Sequence, residues 1–219
     1  MLLNADLHER VVLATPALDW VASPEPGVER RMLERNGEEV ARAVSIVRYA
    51  PGSRFGRHEH GGGEELLVLD GELCDEHGRY PAGTYIRNPP GSAHAPYSED
   101  GCTLLVRLCQ MAPTEQARLV MDTRNGGWQG PPEAIRRLDL FRDEATGETV
   151  YLSRFAAGAQ VPHHDHPGGE ELFVLEGEIQ DEHGRYPAGT WVRQPHGSAH
   201  APFSECGAQV LVRRGHLPQ

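Results

Sequence analysis

The alternation of hydrophobic and polar residues predicts short β-strands along most of this chain. Residues 40–49 alternate in part and are rich in branched side chains, a pattern typical of half-buried strands. Residues 65–69 and 103–108 are short apolar runs, and Asp70-Gly71 after the first run is a dipeptide typical of hairpin turns. Because Gly and Pro separate these segments and none has the period of an amphipathic helix, the sequence predicts an all-β sandwich or barrel.

This strand pattern occurs twice in the chain. Residues 57–107 align with residues 163–213 without a gap and share 35 identities in 51 positions. A block of ten identical residues begins at Asp75 in the first copy and at Asp181 in the second. A repeat of this length predicts two domains of the same fold. The predicted boundaries are an N-terminal segment at 1–19, a first domain at 20–112, a linker at 113–127 with a short helix or strand, and a second domain at 128–219.

Composition narrows the class of protein. Among the 219 residues, 25 Gly and 17 Pro favour a turn-rich β architecture. All 21 basic residues are Arg, which excludes covalent catalysis through a Lys Schiff base. The net charge of -11 argues against nucleic acid or an anionic membrane as a partner. Since the chain has neither a signal-peptide core in its first ten residues nor an apolar run of membrane-spanning length, we expect a soluble cytoplasmic protein.

The four cysteines are predicted to be reduced. Cys74, Cys102, Cys109 and Cys206 do not occupy equivalent positions in the two copies, whereas a disulfide framework would be expected to repeat with the fold. Reduced thiols agree with a cytosolic compartment. For Cys102 and Cys109 we expect buried strand positions rather than a redox role.

Three histidines and one glutamate recur at matched spacing in both copies. The first set is His58, His60, Glu64 and His94, and the second, 106 residues later at every position, is His164, His166, Glu170 and His200. Neutral imidazole and carboxylate groups are ligands of zinc, iron, manganese and nickel. The sequence therefore predicts two divalent metal ions per chain, with zinc favoured and iron, manganese or nickel as alternatives.

The spacing agrees with a β framework around each set. Alternate side chains of a strand share a face, so His58 and His60 are expected to point the same way. The three glycines at 61–63 would let the chain bend so that Glu64 rejoins that face. His94 is expected to close the site from the opposite sheet. A tetrahedral zinc site with all four groups bound would be closed, whereas octahedral iron, manganese or nickel would keep two positions open.

Residues beside these sets have simpler expected roles, and the sequence assigns no catalytic residue. Glu65 and Glu171 should face away from the site, in solvent or in ion pairs rather than as bases. Arg87 and Arg193 are expected to meet an anionic ligand or a nearby carboxylate. Exposed turn positions are expected for His77 and His183, surface positions for His163 and His196, and wall or core positions for Tyr85 and Trp191.

Both copies resemble the cupin motifs. Gly52-(x5)-His58-x-His60-(x3)-Glu64-(x6)-Gly71 has the spacing of the first motif, and Gly83-(x5)-Pro89-x-Gly91-(x2)-His94 resembles the second. Copy two repeats them from Gly158 to Gly177 and from Gly189 to His200. Ser98 and Ser204 stand where the family usually has Asn, which leaves the ligands intact and alters an outer contact. The resemblance implies a bicupin, an all-β protein of two tandem cupin domains, each a double-stranded β-helix or jelly roll.

A closer resemblance is to the ChrR-type cupin domain. It rests on the segment Trp20 to Val28, on the Gly-Gly-Glu-Glu stretch and on the ten-residue block that begins at Asp75. ChrR proteins are anti-sigma factors that restrain an ECF sigma factor and respond to singlet oxygen. In them a helical N-terminal zinc domain contacts the sigma factor and a C-terminal cupin domain binds a metal. Only about twenty residues precede the first copy here, with His8 and no Cys, so we expect the sigma-binding domain to be absent.

The predicted function is therefore that of a metal-binding, ChrR-like bicupin, a regulatory sensor in a transcriptional stress response. Its expected partners are a small-molecule ligand and a protein of a sigma-factor pathway, and a homodimer is left open. The alternative is a metal-dependent cupin dioxygenase or isomerase that acts on a small polar or diketone-like substrate. A third hypothesis, two structural barrels with vestigial sites, requires that neither set binds metal.

Overall fold

The computed structural model describes residues 1–38 and 40–219. Within these residues the secondary structure is almost entirely β-strand, with one short 3-10 helix at Thr15–Ala17. This confirms the all-β prediction. Across the same residues, no helix combines the length and the apolar character needed to cross a membrane.

The strands in chain order are β1 Leu2–Leu3, β2 Val11–Ala14, β3 Val21–Ala22, β4 Val28–Gly37, β5 Ala41–Tyr49, β6 His58–Glu59, β7 Glu64–Asp75, β8 Gly78–Pro81, β9 Thr84–Asn88, β10 Ala93–His94, β11 Cys102–Leu108, β12 Leu119–Asp122, β13 Ile135–Arg142, β14 Thr149–Phe155, β15 His164–Asp165, β16 Glu170–Asp181, β17 Gly184–Pro187, β18 Thr190–Gln194, β19 Ala199–His200 and β20 Ala208–Arg214.

The chain forms two compact units. Unit 1 comprises Met1–Ala5 with Leu18–Gly126, and unit 2 comprises Asp6–Ala17 with Gly127–Gln219. Two segments therefore differ from the predicted boundaries. Most of the predicted N-terminal segment belongs to unit 2, and most of the predicted linker belongs to unit 1. Each segment carries a strand that is hydrogen-bonded to a sheet of that unit: β2 pairs with β18, and β12 pairs with β9.

The two units have matching sheets. Unit 1 has the strand order β1-β4-β5-β11-β7-β9-β12, with β3 beside β4 and β8 beside β7. Unit 2 has the order β13-β14-β20-β16-β18-β2, with β17 beside β16. Each unit also contains a separate antiparallel two-stranded ladder, β6-β10 in unit 1 and β15-β19 in unit 2. Each short ladder carries two of the four candidate metal ligands of its unit.

Each unit buries its own hydrophobic core. In β7, Leu66 and Val68 belong to the core cluster of unit 1, while Glu65 and Leu67 point to the other face of the strand and are also buried. In β16, Leu172 and Val174 occupy the matching places in the core of unit 2. Both faces of the central strands are therefore covered, which explains the continuous apolar runs in the sequence.

The predicted hairpin turn at Asp70-Gly71 is wrong. β7 runs through both residues to Asp75, and the turn to β8 lies at residues 76–77. Gly71 has a φ of 71°, and a Cβ there would lie 2.1 Å from the carbonyl oxygen of Gly101. The register between β7 and β11 shifts just before this dipeptide, at Leu69, which marks a β-bulge. The strand therefore continues past the glycine, pairing with β9 before it and with β8 after it.

Candidate metal sites

The first set of predicted ligands comes together in unit 1, and we call it the first cluster (His58, His60, Glu64 and His94). His58 on β6 lies directly opposite His94 on β10, so neighbouring antiparallel strands bring these two imidazoles together. His60 follows β6, and Glu64 begins β7 in the large sheet. The expectation that His94 closes the site from the opposite sheet is therefore wrong, because Glu64 is the group that the other sheet provides.

A tight turn connects His60 with Glu64. Gly63 has a φ of 78°, and a Cβ there would lie 2.4 Å from the sulfur of Met111. A Cβ on Gly62 would lie 2.6 Å from Cys109 Cα. The glycines thus serve the bend that the sequence predicts, and they also leave space for the chain that follows β11.

Unit 2 repeats this arrangement in the second cluster (His164, His166, Glu170 and His200). His164 on β15 lies opposite His200 on β19, and Glu170 begins β16. In each cluster the candidate ligand atoms all lie within 4.8 Å of one another. Three side chains of each cluster are buried, whereas His58 and His164 are half-buried. Each cluster is therefore most open to solvent beside its first histidine.

These spacings fit a divalent metal ion. Two ligand atoms that are each about 2.1 Å from a metal ion are at most about 4.2 Å apart, which is close to the observed range. The Nε2 atoms of His58 and His60 are 3.1 Å apart. Among the described residues, the buried Nε2 atoms of His94 and His166 have no hydrogen-bond partner, and the Nε2 atom of His200 lies 3.3 Å from Glu170 Oε1, inside the cluster. Since buried polar atoms are normally satisfied, a cation among these nitrogens is the occupant that fits.

The other imidazole nitrogen of every cluster histidine has a polar partner. In the first cluster, His58 Nδ1 lies 2.9 Å from Gly56 O, His60 Nδ1 lies 3.0 Å from Ser92 Oγ, and His94 Nδ1 lies 3.2 Å from Asp75 Oδ2. In the second cluster the partners are Pro162 O at 2.9 Å, Ser198 Oγ at 3.0 Å and Asp181 Oδ2 at 3.0 Å. These contacts hold each ring with Nε2 towards the centre of the cluster, as groups behind metal-bound histidines do.

The histidines of a cluster differ in their affinity for protons. Burial lowers the pKa of His166 to about 4 and also lowers the pKa of His60. Burial opposes protonation of His200 as well, but hydrogen bonds to Asp181 and Glu170 outweigh it and raise the pKa of His200 to about 9. The pKa of His94 is raised by its Asp75 contact in the same way, against the effect of burial. One imidazole of each cluster thus competes for a proton where a metal would bind.

The segment predicted as a linker supports the first cluster. Asn88 Nδ2 donates to Glu64 Oε2 at 2.9 Å, and Arg118 Nε donates to Asn88 Oδ1 at 2.8 Å. Arg118 Nη2 also donates to the hydroxyl of Tyr80 at 2.8 Å, and that hydroxyl donates to Asp75 Oδ1 at 2.8 Å. Arg118 therefore acts through two hydrogen-bonded paths, one to the glutamate and one to the aspartate behind the last histidine.

The second cluster has a different support. Arg10 Nη2 donates to the hydroxyl of Tyr186 at 2.6 Å, and Tyr186 donates to Asp181 at 2.7 Å. Gln194, the counterpart of Asn88, places its amide nitrogen 2.9 Å from His200 Nδ1. Arg214 Nε lies 3.6 Å from Glu170 Oε2. The two clusters thus contain the same types of candidate ligand, three histidines and one glutamate. They differ in the residues that surround the glutamate.

Sequence reasoning missed these supporting residues. The signal for Asp75 and Ser92 is their recurrence as Asp181 and Ser198 beside the ligand motifs. Arg10 and Arg118 are 108 residues apart rather than 106, and this change of register hides their correspondence.

The charged residues that flank the clusters are buried in polar contacts. Arg87 Nη1 lies 2.6 Å from Glu65 Oε2, and Arg107 Nη1 lies 2.5 Å from Glu65 Oε1. Arg87 also pairs with Glu115 at 2.7 Å. Of the two partners expected for Arg87, an anionic ligand or a nearby carboxylate, the structure has the carboxylate. In unit 2, Arg193 donates to the carbonyl oxygen of Asp6 at 2.6 Å. Glu65 and Glu171 are both buried, so neither is a solvent-facing glutamate.

The remaining flanking residues lie as follows. His77, His163, His183 and His196 are exposed, whereas Tyr85 and Trp191 are fully buried.

The four cysteines are free, with Cys102 buried, Cys109 half-buried and Cys206 exposed. Ser98 and Ser204, at the position of the family's usual Asn, donate to the carbonyl oxygens of Glu72 and Glu178 at 2.6 Å. These serines therefore secure the backbone of β7 and β16 and do not contact a ligand of either cluster.

A family model matches the chain twice. The model of the ChrR cupin-like domain covers residues 8–112 and again residues 116–218. No curated protein matches the sequence.

Solved structures of cupin proteins have the same fold. A candidate dioxygenase from Nostoc punctiforme is 15% identical with a TM-score of 0.78, covering 97% of this chain and 85% of its own. A bacterial pirin from Escherichia coli, solved with nickel(II), is 13% identical with a TM-score of 0.71. The match covers 96% of this chain and 100% of the pirin chain. An oxalate decarboxylase from Bacillus subtilis is 13% identical with a TM-score of 0.67. The match covers 93% of this chain and 76% of the decarboxylase chain. At these identities the likeness establishes the fold.

Proposed function

This chain belongs to the ChrR cupin-like family, and from that membership we propose that it is a regulatory sensor that holds one divalent metal ion in each half. The proposed ligands are the four side chains of each cluster, and zinc is the favoured metal. Iron, manganese and nickel accept the same ligand types.

The convergence of the two His3Glu clusters is the observation that carries this proposal. Each cluster gathers three imidazoles and a carboxylate from separate strands into one polar centre. Each imidazole is oriented from behind, and the inward Nε2 atoms of His94 and His166 are buried without a hydrogen-bond partner among the described residues. A pair of vestigial sites would have no reason to keep both the ligands and the groups that orient them.

A bound divalent metal would supply a Lewis-acidic centre that can take up a further small ligand. The half-buried His58 and His164 mark the side from which such a ligand could approach. Buried neighbours such as Asp75 and Asp181 would link a change at the metal to the hairpins β7–β8 and β16–β17, on which they lie. This arrangement suits a sensor whose surface responds to the state of its metal.

Metal content tests the binding step. Protein purified without added metal is expected to contain up to two metal equivalents by elemental analysis, and His58→Ala and His164→Ala should each remove one. His77→Ala and His183→Ala are matched controls, because these histidines are exposed in turns. The absence of metal, together with no uptake from a panel of divalent ions, would contradict the proposal.

A partner assay tests the regulatory step. We propose a protein partner from a sigma-factor pathway and a cytoplasmic location, which four free cysteines support. The metal-loaded chain should bind a sigma or anti-sigma factor, and the double variant His58→Ala/His164→Ala should bind it less well. Equal binding by both forms would show that the metals do not control the partner.

A metal-dependent dioxygenase or isomerase is the second candidate. Its support is the open side of each cluster, beside His58 and His164, where a small polar or diketone-like substrate could reach the metal. Oxygen uptake by the iron-loaded protein with a panel of diketones and flavonols would favour the enzyme. No turnover with any of them, alongside metal-dependent binding of a regulatory partner, would favour the sensor.

A further inference from the structure

The two clusters differ most at one strand position. Arg214 on β20 lies directly opposite Glu170 in the antiparallel ladder with β16. In unit 1, Leu108 on β11 holds the same position opposite Glu64. A guanidinium therefore stands beside one candidate carboxylate ligand, and an aliphatic side chain stands beside the other.

Arg214 is held in place at the second cluster and keeps hydrogen-bonding capacity. Its Nε lies 3.6 Å from Glu170 Oε2, and its Nη2 donates to the carbonyl oxygen of Asp165 at 2.8 Å. Burial raises the pKa of the nearby Tyr151 hydroxyl, and the charge of Arg214 opposes that rise. A guanidinium has five N–H groups, so these contacts leave donors for another acceptor. The side chain is 29% exposed, which lets a solute reach it.

A second difference accompanies the first. Tyr151 on β14 corresponds to Ser45 on β5, 106 residues earlier, and these strands flank β20 and β11 in the sheets. Unit 2 therefore has a Tyr–Arg pair beside its cluster where unit 1 has Ser and Leu. At matching backbone positions, the side chains beside the second cluster are therefore larger and cationic, and those beside the first cluster are smaller and uncharged.

Among the residues that contact the candidate glutamate or the aspartate and tyrosine behind the last histidine, the charge of the two clusters differs by one unit. Both have one candidate carboxylate ligand and one aspartate behind the last histidine, and both have one arginine at the outer tyrosine, Arg118 or Arg10. Arg214 adds one positive charge to the second cluster alone. With a divalent ion bound, the second cluster would attract an anion more strongly. A planar guanidinium matches the two oxygens of a carboxylate.

We propose that the second cluster, and not the first, binds a small carboxylate beside its metal ion, and that Arg214 holds this anion. The inference rests on the metal binding proposed above and assigns a ligand class to one of the two sites. The first cluster, with Leu108 in the matching place, is the site for water or a neutral ligand. The two halves of the chain would then respond to different ligands.

Cobalt(II) provides a probe of each site by itself. His58→Ala leaves only the second cluster complete, and His164→Ala leaves only the first. Both single-site proteins are loaded with cobalt(II), and acetate is added at constant ionic strength while the visible absorption of the metal is recorded. We expect acetate to bind the second cluster with a dissociation constant at least about tenfold lower, as expected for a charge-assisted hydrogen bond.

Reciprocal substitutions identify the residue responsible. Arg214→Leu in the His58→Ala protein should raise the dissociation constant for acetate about tenfold, and Leu108→Arg in the His164→Ala protein should lower it. Equal acetate affinity at the two clusters, or no response to either exchange, would overturn the proposal. If Arg214→Leu prevents cobalt uptake, the Leu108→Arg protein decides the question. Failure of both single-site proteins to bind cobalt would refute metal binding itself, whereas bound cobalt without an acetate difference would refute only the anion site.

Discussion

The six histidines of the two clusters are each oriented through Nδ1, by a backbone carbonyl, a serine or an aspartate. The aspartates have the largest effect on charge. Burial opposes ionisation of Asp181, but hydrogen bonds from His200, Tyr186 and the backbone lower its pKa to about 2. A carboxylate that stays ionised behind an imidazole stabilises the imidazolium, and it also raises the basicity of the nitrogen that would face a metal.

This pairing predicts proton release when the second cluster binds metal. A pKa of about 9 keeps His200 protonated in the metal-free protein at about pH 7.5, and a metal must displace that proton. In the His58→Ala protein we therefore expect metal binding to release about one proton at that pH and almost none well above pH 9. The metal affinity should rise as the pH increases from about 7.5 to above 9. Calorimetry in two buffers of different ionisation enthalpy measures the number of protons.

Asp181→Asn is the matched variant for this experiment. Without the carboxylate the pKa of His200 should fall towards its ordinary value, so proton release at about pH 7.5 should fall as well. Equal proton release with aspartate and asparagine at this position would contradict the account of His200.

At the scale of residues, the sequence was sufficient to find both sets of predicted ligands, because their spacing repeats without a gap. It was not sufficient to find Arg118 or Arg214. Arg118 acts through Asn88 and Tyr80, contacts that only the folded chain creates. Arg214 is one of many arginines in the sequence, and only its strand register places it opposite Glu170.

Among the elements, β7 and β16 determine the geometry of the clusters. Each begins at the candidate glutamate, bends at a β-bulge and ends at the aspartate behind the last histidine. The dipeptide Asp70-Gly71 has the composition of a hairpin turn, but it pairs with β11 and the residues after it pair with β8, so it stays within the strand. Local sequence cannot distinguish the two outcomes, because a glycine with positive φ fits a hairpin turn and is also tolerated within this strand.

The close approach of β7 to the carbonyl oxygen of Gly101 predicts a large cost for a side chain at residue 71. Gly71→Ala should destabilise unit 1 more than Gly52→Ala, because both positions have positive φ but only residue 71 has a backbone oxygen where the Cβ would lie. Backbone strain common to both costs about 1–2 kcal/mol, and the clash should add about 1–3 kcal/mol. Urea unfolding of the two metal-free variants measures the difference, and similar midpoints would show that the strand can shift to relieve the clash.

The segment that carries β12 predicts a role for Arg118 in metal retention. In the His164→Ala protein, Arg118→Ala should weaken metal binding about tenfold, because the groups that hold Glu64 and His94 lose their common partner. Arg124→Ala is the control, since Arg124 lies on the same segment and pairs with Asp122 at the surface. A competition titration with a chelator measures both affinities. Equal affinities in the two variants would confine Arg118 to a structural role.

For the whole molecule, the sequence repeats and the compact units contain different residues. The family matches begin at residues 8 and 116, so the first repeat includes β2 and the second includes β12. By contrast, β2 belongs to unit 2 and β12 belongs to unit 1. The repeat was sufficient to predict two domains of the same fold, and the cupin resemblance implied that each is a jelly roll. It could not predict where the first strand of each repeat pairs, because long-range backbone hydrogen bonds decide that pairing.

The central claim is that each half of the chain holds one divalent metal ion in its His3Glu cluster. Anomalous X-ray scattering from crystals of the protein tests it most directly. At the absorption edge of the bound metal we predict two peaks per chain, each about 2.0–2.3 Å from three imidazole Nε2 atoms and one glutamate oxygen. Crystals exposed to zinc, iron, manganese or nickel that show no peak in either cluster would contradict the claim.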